Sequence, residues 1–271
     1  MIVGVDIGGT KTLIAVFAEN GKLLKEVRFE TNKDYTLFLQ DLEQHARQLE
    51  TAKAKLACVA VPGRIDRASG IALSFGNLDW RNVPIKQDVS RAVSNKNVII
   101  ENDSKLAGIA EGRALNGRYK RVLYLTLSTG IGGALIVNGK LVDALKDMEI
   151  GKIPLQHNNN LIAWEDFASG RAFYEAYGKK AVDVTDEAIW EEYAALLNPG
   201  LGVACAILQV EAIVFGGGLG QHLSRFKKYL PGLLDTTLHS IVKKPDAIIT
   251  TQYRGQSVIY GCYHYAKDHL A

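Results

Sequence analysis

Hydrophobic positions alternate at Val3, Val5 and Ile7 and return as an unbroken run from Leu13 to Phe17, which predicts two strands joined by a tight turn. Asn20-Gly21 is a hairpin signal and Leu23 to Phe29 reads as a third strand, so the chain opens as an antiparallel meander. Phe38, Leu42, Ala46 and Leu49 recur at helical spacing and predict a helix over Thr36 to Glu50, on which His45 is a partly exposed surface residue rather than a ligand. Leu56 to Val61 is a buried-type strand ended by Pro62-Gly63, and Ile71 to Phe75 and Asn97 to Ile100 are further strands. Asn77 to Arg81, between those two, reads as a polar and aromatic loop of a kind that can recognise a sugar. Beyond Glu101-Asn102-Asp103-Ser104, the spacing of Ala107, Ala110 and Ala114 predicts a closely packed helix.

The second half repeats the opening. Leu123 to Leu127, the glycine-rich Ser128 to Gly133, Ala134 to Val137 and Asn138-Gly139-Lys140-Leu141 reproduce strand, glycine turn, strand and the Asn20-Gly21-Lys22-Leu23 hairpin. Such a repeat predicts two similar α/β domains whose loops face one another across a cleft. The smaller is expected over residues 1–115, completed by a C-terminal helix in 256–271, and the larger over 116–255. In the larger, Ala204, Ile207 and Leu208 are expected on a buried helix feeding the strand Ala212 to Phe215, with Tyr193 to Leu197 and Phe226 to Leu234 as helical cover.

Composition narrows the partners. A chain of 271 residues, 47% hydrophobic and 23% charged, is an ordinary globular protein, and a net charge of +3 carries neither a nucleic-acid footprint nor a membrane anchor. Cys58, Cys205 and Cys262 stand far apart without a C-x-x-C pair, which fits a reducing cytoplasm, and no export or membrane segment is indicated.

The turns carry the chemistry. Gly8 and Gly9 lack the Cβ atoms that would keep a phosphate oxygen from main-chain N–H groups; Thr10 adds a hydroxyl and Lys11 a positive charge. Asp6, at the strand end, is placed to hold magnesium through water. Taken alone, the same glycines serve an ordinary hairpin turn. Gly130, Gly132 and Gly133 form a second such turn, and Gly216, Gly217, Gly218 and Gly220 a third, where close approach of a flat ring such as adenine would need glycine. Asp103 lies at a strand-to-helix junction, where Asn102, Asp103 or Ser104 would each also cap the helix.

Asp6-Ile-Gly-Gly-Thr-Lys11, Asn102-Asp103, Ser128 to Gly133, Glu149-Ile-Gly-Lys152, Glu165 to Gly170 and Phe215 to Gly218 come in the order found in the ROK family of sugar kinases, bacterial glucokinases among them, which this chain resembles over nearly its whole length. The resemblance implies an actin-like ATPase (ribonuclease H-like) α/β fold that closes on a hexose and ATP with Mg2+, and a homodimer. By the same resemblance Asp103 is similar to the catalytic base, and Asn77, Asn102, Glu149 and Glu165 to the sugar ligands. Asp6, Gly8, Gly9, Thr10 and Lys11, with Thr129, Gly130 and Gly132, are similar to the two phosphate loops, and Gly217 and Gly218 to the nucleoside site.

This chain departs from that pattern at Lys152, where most members have a histidine, and in the cysteine-free stretch 153–164, where they carry a zinc loop. No structural zinc is expected, because His157 alone cannot supply four ligands. An ammonium only donates hydrogen bonds, so Lys152 must meet an acceptor on the sugar or pair with Glu149. The expected activity is phosphorylation of glucose. Fructose, mannose or an N-acetylated amino sugar as acceptor, polyphosphate as donor (a long anion that the basic run Arg113, Arg118, Lys120 and Arg121 could meet, though such a run is usually just solvated), and a sugar-responsive regulator without catalysis stand as alternatives. With Met1 directly before the first strand, a DNA-binding regulator carrying a helix-turn-helix is not expected.

Overall fold

β1 (Ile2–Ile7), β2 (Lys11–Phe17) and β3 (Leu23–Glu30) form the expected meander, with Ile7 opposite Thr12 and Ile2 opposite Phe17. The computed structural model describes residues 1–76 and 78–270. It divides into two compact units, residues 1–110 with 256–271, and residues 111–255.

In the first unit, β4 (Leu56–Val61) and β8 (Val98–Asn102) extend the meander as parallel strands, giving the order β3-β2-β1-β4-β8. Strand side chains alternate between faces. Val3, Val5 and Ile7 point into a core shared with α1 (Tyr35–Gln48) and α2 (Ile85–Ala92), while Gly4 and Asp6 occupy the other face. That second face is covered by the C-terminal helix, Ser257–Leu270, which lies on β1 and β4. Gly4 allows the approach: a Cβ there would come within 2.9 Å of the Ile259 side chain and 3.1 Å of Cys262. A three-stranded antiparallel sheet, β5 (Ile65–Asp66), β6 (Ile71–Phe75) and β7 (Leu78–Val83), stands between β4 and α2 in sequence.

β7 corrects the sequence reading. Residues 78–81 form a strand, with Leu78 and Trp80 inward and Asp79 and Arg81 solvent-facing. The two-residue period was hidden because it is so short. Trp80 anchors it, its ring packed on Phe38 and Phe75 and its Nε1 donating to the Lys33 carbonyl at 2.7 Å. On α1, His45 is half-buried, its ring stacked on Phe29.

α3 (Asp103–Ala114) leads into the second unit, where β9 (Arg121–Leu127), β10 (Ile131–Val137) and β11 (Lys140–Leu141) form a second meander. With β14 (Ala212–Gly216) and β15 (Ala247–Thr250), both parallel to β9, the order is β11-β10-β9-β14-β15. This is the topology of the first sheet, so the sequence repeat is a repeat of the fold. β12 (Pro154–His157) and β13 (Asn160–Ala163) pair as a hairpin whose turn residues Asn158 and Asn159 both have positive φ, a conformation asparagine tolerates. The His157 ring stacks on Phe167. Among the described residues no group of three or more His, Cys, Asp or Glu side chains could hold a metal ion, and no helix is long and apolar enough to cross a membrane.

α4 (Trp164–Ala168), α5 (Gly170–Tyr177) and α6 (Glu187–Leu208) pack on the second core. α6 buries Leu197, Leu201, Ala204 and Cys205, and its stripe continues through half-buried Leu208. Ile207, expected inside, falls off this stripe and is 71% exposed. After β14 come α7 (Gly217–Gly220), α8 (Leu223–Phe226) and α9 (Leu230–Thr237). The C-terminal helix is α10.

Candidate active site

The predicted residues fall into two groups, one in each unit. In the first, the chain turns from β1 to β2 through Gly8 to Lys11, with the Gly8 N–H donating to the Lys11 carbonyl at 3.0 Å. Gly8 is required by the turn itself, since a Cβ would sit 2.8 Å from that oxygen. Thr31 N–H fixes the Thr10 carbonyl at 2.9 Å, leaving Thr10 and Lys11 exposed.

Asp6 lies at the end of β1 on the face beneath α10. Burial, and then the negative charge of Asp103, push its carboxyl from an ordinary 3.8 up to about 7, against a smaller opposing pull from Arg28. Asp103 opens α3 at the end of β8, so two carboxylates interact at the ends of β1 and β8. Such a pair suits a cation, because positive charge replaces the proton that Asp6 otherwise keeps.

The linkage has a definite sign. Between about pH 4 and pH 7 folded Asp6 keeps a proton that the unfolded chain releases, so this group's contribution to stability falls as pH rises through that window and levels off above it. Asp6→Asn removes the penalty. Thermal unfolding is expected to show a gain in Tm over wild type that is larger at pH 8 than at pH 5; equal shifts at both pH values would contradict the assignment.

Asn102 is occupied structurally. Its Oδ1 accepts from Ser104 N–H at 3.0 Å and Ser104 Oγ at 2.6 Å, and its Nδ2 donates to the Gly63 carbonyl at 3.0 Å. It therefore caps α3 and ties β8 to the end of β4. Asn77, expected at the sugar, lies outside the described residues.

In the second unit, the β9–β10 turn presents Ser128 and Thr129 to solvent and is pinned by a 2.6 Å hydrogen bond from Gly170 N–H to the Ser128 carbonyl. Gly132 follows on β10, at whose start Glu165, from the first turn of α4, accepts from Ile131 N–H at 3.1 Å. Gly130 and Gly151 make room for that carboxylate: a Cβ would stand 2.7 Å from its Oε2 at Gly130 and 2.9 Å at Gly151. Lys152 pairs with the other oxygen, Oε1. The pairing with Glu149 raised as one possibility thus goes to Glu165 instead. Glu149, exposed on the preceding turn, contributes only a weaker attraction that helps raise the Lys152 pKa, the Glu165 hydrogen bond being the main cause.

A crevice of about 590 Å³ lies beside this turn, lined by Thr129, Tyr174, Lys179, Val182, Gly218 and His222 among others. Tyr174 and Val182, two of the large exposed apolar side chains of the chain, form its walls. Burial and then Arg225 hold the His222 pKa below its ordinary value. Gly217 serves the backbone, having φ +79° and the Leu127 carbonyl where a Cβ would go, whereas nothing approaches the Cβ position of Gly218 within 4 Å. A flat ring can therefore approach the main chain at Gly218.

The sequence profile of the ROK family matches residues 2–269. The chain belongs to the ROK family. The glucokinase of Streptomyces coelicolor is 30% identical over 200 residues, which span 69% of this chain and 62% of that protein. The N-acetyl-D-glucosamine kinase of Mannheimia succiniciproducens is 31% identical over 90% of this chain and 92% of its own. The crystal structure of a ROK family glucokinase from Streptomyces griseus in complex with glucose and AMPPNP has a TM-score of 0.79, covering 98% of this chain and 99% of that one at 22% identity. The ROK chain described here has the actin-like ATPase fold.

Three polar residues of the first group were not singled out from sequence: Glu101, Arg67 and Tyr265. One signal was present, a carboxylate ending the otherwise apolar Val98-Ile99-Ile100. The crevice residues Tyr174, Lys179 and His222 gave none, being scattered over three segments.

Proposed function

We propose that this ROK-family sugar kinase transfers the terminal phosphoryl group of ATP to the primary hydroxyl of a hexose, glucose being the first candidate, with Asp103 as general base. The observation that carries this reading is the carboxylate pair at the strand ends, in which burial and then Asp103 raise the pKa of Asp6 to about 7. Phosphoryl transfer needs positioning, charge neutralisation and a group to receive the proton of the attacking hydroxyl. Asp103 receives that proton, and Lys11, Thr10 and the turn N–H groups other than that of Gly8, which the Lys11 carbonyl takes, hold phosphate oxygens. Asp6 would hold Mg2+ through water, and the ion would there supply positive charge to offset that of the ATP phosphates. The Tyr174 and Val182 walls, with the open main chain at Gly218, suit the adenine ring, and Thr129 and Gly130 suit phosphates. Glu149 and Glu165 accept from sugar hydroxyls, with Asn102 and Asn77 as further sugar contacts.

Lys152 bears on acceptor choice. Its ammonium can donate to a sugar oxygen but accept nothing, and it sits on one of the carboxylates assigned to the sugar. Lys152→His is expected to change the order of kcat/KM among glucose, mannose and N-acetylglucosamine while leaving the KM for ATP unaltered. An unchanged order would remove Lys152 from specificity.

The function is tested by ADP release from ATP and Mg2+ with each of glucose, mannose, fructose, N-acetylglucosamine and N-acetylmannosamine. Sugar-stimulated release, strongest for one of them, is expected. Sugar binding without ADP release would contradict a kinase and favour a sensor.

A further inference from the structure

We infer that Arg67 and Tyr265, gripping the buried carboxylate of Glu101, form a positioning device for the catalytic residue, acting through the main chain of Asn102. The inference rests on the reading of Asp103 as the base. Strand register sets the device in place: Asp6 lies opposite Ala60, and Ala60 opposite Glu101, so the two acids share one cross-strand row separated by a small side chain. Glu101 is fully buried. Arg67 grips it with two hydrogen bonds, Nε to Oε2 at 2.8 Å and Nη2 to Oε1 at 2.6 Å. Tyr265 of α10 donates its hydroxyl to Oε2 at 3.3 Å, and the Asn102 N–H donates to Oε1 at 2.7 Å.

Each partner is itself held. Arg67 sits on the β5–β6 turn, where Asp66 accepts from Ala68 N–H at 3.0 Å and from Ser69 Oγ at 2.7 Å. Asn102, anchored by its N–H to Glu101 and by its amide to Gly63, leads directly into Asp103. The orientation of the base is thus set from a carboxylate that is itself shut off from solvent.

With Glu101 fully buried and Arg67 only 19% exposed, this pair is an inefficient way to stabilise a fold, because desolvating the charges offsets much of their attraction, and an apolar pair of similar volume often does as well. A bidentate guanidinium–carboxylate pair does fix direction, which an apolar contact does not. Positioning is what this geometry offers, and misplacement of a reacting group by about 1 Å costs roughly a hundredfold in rate.

The test compares Arg67→Lys, Arg67→Met, Glu101→Gln and the double variant Arg67→Met/Glu101→Leu with wild type in Tm, kcat and both KM values, with Asp103→Asn alongside. In the conservative Arg67→Lys and in Glu101→Gln, kcat is expected to fall by roughly tenfold to a hundredfold with KM for ATP little changed. The double variant is expected to recover the Tm lost by Arg67→Met and to keep the low kcat. A double variant that regains both Tm and kcat, or conservative variants with wild-type kcat, would overturn the inference and show a structural role. Should Asp103→Asn turn over normally, the base assignment fails instead, whatever the other variants do.

Discussion

Asp103→Asn is expected to lower kcat by roughly a thousandfold, within the range found for loss of a positioned general base, while the protein folds normally and binds sugar. Asparagine keeps the size of the side chain and an oxygen that can accept from the Ser104 N–H as Asp103 Oδ1 does at 2.7 Å. What it loses is the ability to receive a proton. Asp6 would also lose the like charge that helps raise its pKa. The variant should therefore bind a divalent cation over a wider acid range than wild type, measured as the pH dependence of ATP·Mg binding. Near-normal turnover would move the proton to another acceptor.

Gly151→Ala carries the second large effect. A Cβ at this buried position would overlap the Ile131 carbonyl and come within 2.9 Å of Glu165 Oε2. Both obstacles belong to one structure, for the Ile131 N–H is the donor that holds this same carboxylate oxygen. Relief would have to move the start of β10 or swing Glu165 away, and overpacking of this kind costs about 1–3 kcal/mol. If Glu165 holds the sugar, KM for the sugar should rise by roughly tenfold or more, the equivalent of about 1.4 kcal/mol of lost binding. KM for ATP should change far less. Equal effects on both would indicate general loosening of the second unit.

The turns and strands that matter were legible because each is a local signal. Val3, Val5 and Ile7 alternate, the glycine pair follows, and Asn20-Gly21 turns the chain; the same sequence of signals at residues 123–141 yielded the repeat that the two five-stranded sheets then showed. The junction at Asn102-Asp103 was legible as both cap and candidate base, and Asn102 is indeed the cap. β7 was missed because a strand of six residues with two inward side chains, Leu78 and Trp80, gives almost no period to read. The Arg67–Glu101 pair and the grip of Lys152 on Glu165 could not be read at all. Their partners are 34 and 13 residues apart, and only the folded register and the gaps left by Gly130 and Gly151 bring them together.

Direct detection of product is the most decisive measurement: 31P NMR and mass spectrometry of a reaction of glucose, ATP and Mg2+ with wild type and with Asp103→Asn. A glucose monophosphate carrying its phosphate on the primary hydroxyl, formed with ADP by wild type and nearly absent with the variant, is the expected result. ADP and free phosphate without any phosphorylated sugar, for glucose and for each of the other acceptors, would contradict it.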